Sequence, residues 1–250
     1  MVCLLLAGCS HHRKAASAPQ TAPPLAQPHE PGTAESETTE PETLSPKIPM
    51  TRVPSGGIDA HDIEFVNTHR PIESEVGYAT WYTAARGRRA ANGQVFSNRA
   101  LTAAHRTLPM GSLVVVTNLK TGQRSAMRIT DRGPFVEGRI LDLTIASAKA
   151  TGVYRMGLAR VRLDVYETPK PIERGGRWCV QIGAFHSERR ARKLKQQLQR
   201  RYPDANVIEF PGEDSYWVRI RPEGDNRQRA ESIAARLRPA EGEAFLTRLD

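Results

Sequence analysis

The chain has 250 residues, enough for one large domain or two small ones. Hydrophobic residues make up 39% and aromatics 6%, lean for one large core, and no later stretch approaches the roughly 18 apolar residues of a membrane span. The net charge of +9 is uneven: residues 30–75 hold ten acids and three bases, residues 77–166 fourteen bases and four acids, and residues 178–250 fourteen bases and eleven acids.

At the N-terminus, Leu4-Leu5-Leu6-Ala7-Gly8-Cys9 is a short apolar run ending in small residues and a cysteine. It resembles the lipobox of bacterial lipoproteins, in which the signal is cut before the cysteine and that cysteine is acylated. The resemblance implies a signal segment over residues 1–8 and a membrane anchor at Cys9, since several acyl chains on one residue exceed the threshold for stable anchoring. The run is short and carries no basic residue, so the true start is expected upstream. Ser10 in place of Asp points, by the enterobacterial sorting rule, to the outer membrane. Residues 9–76 are rich in Pro, Ala, Ser, Thr and Glu. Prolines from Pro19 to Pro54 oppose regular structure, and the segment is too poor in apolar surface to offset its chain entropy. It reads as an extended tether. A second linker, residues 167–177, separates two folded units.

Cys3, Cys9 and Cys179 are too few for a disulfide framework, and no pair has metal-ligand spacing. With the histidines scattered or in the N-terminal segment, neither a metal nor a cofactor is expected.

Residues 77–166 read as short strands broken by turns. Leu113–Thr117 is apolar and β-branched, Ser125–Ile129 alternates, and Arg160–Val165 alternates more clearly. Thr144 reads as the N-cap of a helix over 144–151 that ends at Gly152. The pattern suggests a small β-barrel. A basic segment suits an acidic partner, either nucleic acid or the anionic cell wall. Its aromatics are not interleaved with basic residues as a base-stacking platform requires, which argues against nucleic acid. Four carboxylates are available. Asp164, in a terminal alternating strand, reads as part of a solvated face, and Glu137, beside Gly138, as a turn residue. Asp142, flanked by Ile140, Leu141 and Leu143, reads as a buried, paired structural acid. Asp131 sits where a strand breaks into a rigid turn, and is either an Asx-type turn acceptor or a reactive acid.

Gly77-Tyr78-Ala79-Thr80-Trp81-Tyr82, Ala91-Asn92-Gly93-Gln94, the run Ala100 to Pro109, and Asp131-Arg132-Gly133-Pro134-Phe135 resemble, in order, the blocks of the RlpA (rare lipoprotein A) family. The resemblance implies a double-psi β-barrel related to expansins, and lytic transglycosylase activity. Such an enzyme cuts between MurNAc and GlcNAc and leaves a 1,6-anhydro ring. An ordinary glycosidase needs two carboxylates. A lytic transglycosylase uses the sugar's own 6-hydroxyl as nucleophile, so one residue can serve as acid and then base. The resemblance assigns that role to Asp131 and gives His105 a part in positioning the substrate or tuning the acid; the alternative for His105 is a packed or solvated histidine. Gln94 stands where the family usually has Glu. An amide cannot exchange a proton at neutral pH, so a non-catalytic glycan binder remains the alternative to an enzyme.

Residues 178–250 read as β-α-β-β-α-β, a ferredoxin-like order. The expected elements are a strand at 178–185, a helix from Ser187 to about Tyr202, strands at 206–210 and 215–221, a helix over about 226–238, and a last strand at 244–249. The block Val180-Gln181-Ile182-Gly183-Ala184-Phe185 resembles the SPOR domain, whose family binds denuded septal glycan strands. Alternation puts Val180, Ile182, Val218 and Ile220 toward the helices. The other face then carries Gln181, Gly183, Phe185, Trp217, Arg219 and Arg221, an open surface suited to stacking on sugar rings and bonding their hydroxyls. An ordinary solvated sheet face is the alternative, and exposed aromatics argue against it. The sequence thus leads to an envelope protein, lipid-anchored at Cys9 and enriched at the division septum, with peptidoglycan glycan strands as partner. It identifies no protein partner.

Overall fold

The computed structural model describes residues 57–211 and 215–250. Cys9 and the proposed signal lie outside the described residues. Helix α1 spans Ala60–Thr68 and strand β1 spans Glu73–Trp81. The tether expected over residues 9–76 therefore does not extend to residue 76. Three physical causes order this stretch. Asp59 and Asp62 form a capping box, each carboxylate accepting the other's backbone N–H. Ile58, Ile63 and Val66 bury against the barrel. The Arg128 guanidinium reaches Asp62 Oδ1 at 2.5 Å.

The next elements are β2 (Thr102–Ala104), β3 (Leu113–Asn118), β4 (Arg124–Asp131), β5 (Arg139–Leu143), α2 (Ile145–Ala150), α3 (Val153–Met156) and β6 (Ala159–Glu167). The six strands close a barrel in the order β1-β5-β2-β4-β3-β6. Pairs β1/β5 and β2/β4 are parallel and the others antiparallel, the mixed pairing of a double-psi barrel. Leu113 to Val116 are fully buried, as a continuous apolar run in a strand covered on both faces should be. Thr144 caps α2 as expected: its hydroxyl accepts the Ser147 N–H at 3.3 Å and donates to Ala100 O at 2.7 Å. Such a cap contributes about 1 kcal/mol. It also ties α2 to the segment leading into β2.

Asp164 is not on a solvated face. It is 4% exposed and accepts from Ser74 Oγ at 2.7 Å and Arg162 Nε at 3.0 Å. Strand β6 pairs with both β1 and β3, so neither of its edges is free, and its later part, Leu163–Tyr166, buries on both sides. The alternation marks a solvated side only at the start of the strand, where Arg160 is exposed, and not at Asp164.

The C-terminal unit has β7 (Trp178–Phe185), α4 (Glu188–Arg201), β8 (Asn206–Pro211), β9 (Tyr216–Arg221), α5 (Arg227–Arg236) and β10 (Glu243–Arg248). Its antiparallel sheet runs β10-β7-β9-β8. Val180, Ile182, Val218 and Ile220 pack under the helices with Ala191, Leu198, Ala230 and Ile233. Barrel and C-terminal sheet lie in one compact unit. The Arg248 backbone N–H donates to Arg106 O at 3.0 Å.

Candidate active site

The barrel site is built around the ends of β4 and β5. In β-sheet register, Ala104 of β2 sits opposite Asp131 on one side and Asp142 on the other. The short central strand thus places two aspartates as its lateral neighbours. The chain turns away after Asp131 through Gly133, whose φ of +145° suits a residue without Cβ. A Cβ there would lie 3.5 Å from Asp142 Oδ2, so the turn packs close beside the second carboxylate.

Asp131 is 3% exposed and accepts from four donors. Oδ1 takes the backbone N–H groups of Ala91 and Arg132 at 3.0 and 2.9 Å. Oδ2 takes Tyr82 Oη at 3.1 Å and Arg88 Nη1 at 3.0 Å. The Arg88 guanidinium also lies 6.0 Å from the ring centroids of both Tyr82 and Phe96. Burial, with the charge of Asp131 adding to it, pushes the Tyr82 phenol well above its ordinary value, which keeps it a donor.

Asp142 differs. Its Oδ1 pairs with the Arg139 guanidinium. Burial lifts its carboxyl above the ordinary aspartate value; Arg139 and Arg106 oppose this, and the nearby Asp131 charge adds to it. The expected pairing is present, and the same carboxyl lies across Ala104 from a second carboxylate. The flanking apolar residues in the sequence do not show how near Asp142 lies to Asp131. The signal lay in topology: only closure of the barrel brings Asp142 across Ala104 from Asp131.

His105 is buried, and its ring turns toward Glu75. Nδ1 accepts the backbone N–H groups of Thr107 and Leu108 at 3.2 and 3.0 Å, which leaves the proton on Nε2, facing Glu75 Oε2 at 3.2 Å. Burial lowers the imidazole pKa although Glu75 raises it, and the same hydrogen bond lowers that of Glu75. The connection of His105 to Asp131 is through the backbone, His105 N–H to Asp131 O at 3.1 Å. Gln94 is exposed. Its side-chain oxygen accepts from Asn92 Nδ2 at 3.0 Å, at the tip of the loop that also brings Arg88 and Ala91 to Asp131.

In the C-terminal sheet, Gln181 Oε1 accepts from Arg219 Nη2 at 2.8 Å. Trp217 lies over Gly183: a Cβ at that glycine would meet the ring at 2.8 Å. Phe245, opposite Gln181 in β10, joins the same face. It follows from the alternation of β10, in which Ala244 and Leu246 pack on the core. Phe185 does not belong to this face. It is 2% exposed in the core under the helices. Between Ile182 and Phe185 the register slips, three residues of β7 advancing against two of β9, and this bulge reverses the side to which Phe185 points. Nor is the face open. Cys179 and Gln181 are buried, and Phe135 of the barrel packs against Trp217 and Phe245 with ring centroids 5.2 and 6.0 Å apart. Arg221 is engaged bidentately by Asp225.

Among the described residues, one group, Asp59, His61 and Asp62, has potential metal-ligand atoms close together. Its two carboxylates already serve the capping box and Arg128.

Residues 74–163 match the family model described as "Lytic transglycolase", and residues 175–248 match that of the SPOR domain. The chain carries a lytic-transglycolase domain followed by a SPOR domain. It is similar to a probable endolytic peptidoglycan transglycosylase RlpA of Synechocystis, 51% identical over 92 residues, covering 36% of this chain and 29% of that one. It is 37% identical over 133 residues to the endolytic peptidoglycan transglycosylase RlpA of Vibrio cholerae, covering 50% and 51%. For the RlpA of Helicobacter pylori the figures are 32% over 174 residues, 58% and 55%. The matched segments thus span between 29% and 55% of these three RlpA relatives.

Proposed function

We propose that the chain is an endolytic peptidoglycan lytic transglycosylase. It cleaves the MurNAc–GlcNAc bond in glycan strands lacking stem peptides and leaves 1,6-anhydroMurNAc ends. The observation that carries this reading is the pair of aspartates flanking Ala104 in contrasting surroundings, one with four donors and one lifted toward its protonated form. In this account the acid–base task first read for Asp131 passes to Asp142. Asp142 protonates the leaving glycosidic oxygen, then takes the proton of the MurNAc 6-hydroxyl as that oxygen closes on C1. Asp131, held by Tyr82, Arg88 and two backbone N–H groups, offers fixed negative charge to the oxocarbenium-like transition state. His105 acts as a positioning residue: its ring orders the turn after β2, and its backbone N–H holds Asp131 from behind. With Asp142 as the acid and the Gln94 side chain bonded to Asn92, the lack of an ionisable proton at position 94 does not remove the acid in this account.

The SPOR sheet, through Gln181, Trp217, Arg219 and Phe245, captures denuded septal strands. Acylation of Cys9, supported by the lipobox resemblance, would hold the chain at the outer membrane, within reach of the wall. The second reading, a wall-binding lipoprotein without activity, is favoured only by Gln94 in place of the family Glu. Incubating the full chain with purified peptide-free glycan strands distinguishes the two. Anhydro-ended fragments support the enzyme. No fragments from either the chain or its Gln94→Glu variant would leave the binder.

A further inference from the structure

The SPOR sheet face read above as the glycan-binding surface is occupied by the protein's own barrel. The contact is made by the turn that begins at the active-site aspartate. Arg132 donates Nε to Arg248 O at 2.6 Å, at the end of β10, and Nη2 to Asp250 O at 2.7 Å, two residues past it. Its Nη1 bonds His105 O and Leu108 O on the barrel side at 3.1 and 2.7 Å, so one guanidinium bridges the two domains. Three residues on, Phe135 meets the Trp217 ring edge-on and packs beside Phe245, and Arg106 lies 5.3 Å from the Phe245 centroid. The aromatic rings that would stack on a sugar stack on the barrel instead. Gln181, at the centre of the face, is 4% exposed.

We propose that this contact is an autoinhibitory clasp: the Arg132–Phe135 turn masks the glycan-binding face of the SPOR sheet, and a denuded glycan strand must displace it to bind. The proposal rests on the reading of that sheet as the glycan-binding face. Its consequence reaches the active site. A strand that lifts the sheet from Phe135 takes from Arg132 its acceptors Arg248 O and Asp250 O and frees the turn adjoining Asp131. By linkage, whatever loosens the turn must strengthen glycan binding by the same factor. Capture of a peptide-free strand and release of the catalytic turn then become one event, and a chain without such a strand stays closed.

The test measures affinity of the full chain for peptide-free glycan strands in wild type, Phe135→Ala and Trp217→Ala. An aromatic pair contributes up to roughly tenfold to a docking equilibrium, and Phe135 makes two such contacts. An apparent affinity is lowered by the fraction of chains that is closed. Phe135→Ala is therefore expected to bind about tenfold more tightly than wild type, while Trp217→Ala binds far more weakly. If Trp217→Ala weakens binding but Phe135→Ala leaves it unchanged, the masking is overturned and the glycan-face reading stands. If Trp217→Ala binds like wild type, the glycan-face reading fails and the masking proposal falls with it. Should Phe135→Ala fail to fold, Phe135→Leu, which keeps bulk without a ring, is measured in its place against the same criteria.

Discussion

Asp131→Asn and Asp142→Asn should have opposite effects on stability and the same effect on activity. An asparagine offers one acceptor oxygen and an amide that only donates. Asp131 has donors on both oxygens: two backbone N–H groups on Oδ1, a phenol and a guanidinium on Oδ2. Whichever way the amide turns, its NH2 group replaces an oxygen that held two donors: either the two backbone N–H groups, or Arg88 and a Tyr82 phenol that must turn to accept. Each loss costs about 1–3 kcal/mol where the group is buried. The Arg88 share is smaller, because that side chain is 34% exposed and water takes up part of the loss. A total of about 2–5 kcal/mol lowers the melting temperature by roughly 5–15 °C for a fold of this size. Asp142 is the reverse case. Burial raises its folded-state pKa, so the stability tied to this group is full below the unfolded pKa and lost as pH rises through the folded one. At neutral pH, Asp142→Asn removes that cost and should melt at or above the wild-type temperature while abolishing cleavage. Scanning calorimetry beside anhydro-fragment detection measures both. An Asp131→Asn protein that melts like wild type, or an Asp142→Asn protein that still cuts, refutes the division of roles.

Since Asp142 must be protonated to act as the acid, the cleavage rate should fall as pH rises through its raised pKa; Arg139→Met, which removes an opposing charge, should move that falling limb to higher pH. A limb that stays in place in a pH–rate profile would remove Asp142 from the acid role. Tyr82→Phe deletes a donor to a buried carboxylate and should cost about 1.5–3 kcal/mol of stability, with kcat reduced more than KM is raised, as steady-state kinetics would show. Asp164→Ala should cost about 2 kcal/mol by denaturant titration, because Ser74 and Arg162 lose a buried acceptor; a solvated aspartate would cost within about 0.5 kcal/mol.

Much of the architecture was legible because its signals are local. The β-branched run at 113–117, the Thr144 cap and the β-α-β-β-α-β order each rest on neighbours within a few residues. What escaped the sequence depends on closure or on register. Asp164 alternates like a surface strand, yet β6 has a partner on both edges. Phe185 fits the period-two pattern of its strand until one bulge reverses it. Helix α1 sits in a run of polar composition and is held by Asp62 reaching Arg128, 66 residues away. In the candidate site, Asp131 stood out by the strand-to-turn break that follows it. Asp142 did not, because its meaning comes from lying across Ala104. The covering of the SPOR face was beyond any single-domain reading, since Phe135 and Trp217 meet only when both domains are folded together.

The central claim is that the barrel cuts glycan by closing the sugar's own 6-hydroxyl onto C1, with no water consumed. Digesting peptide-free glycan strands with the full chain in heavy-oxygen water and weighing the new ends tests it directly. The account predicts 1,6-anhydro ends lighter than a hydrolysed end by one water and free of heavy oxygen, and none of them with Asp142→Asn. New reducing ends carrying heavy oxygen, or strands left whole by the wild-type chain, would contradict it.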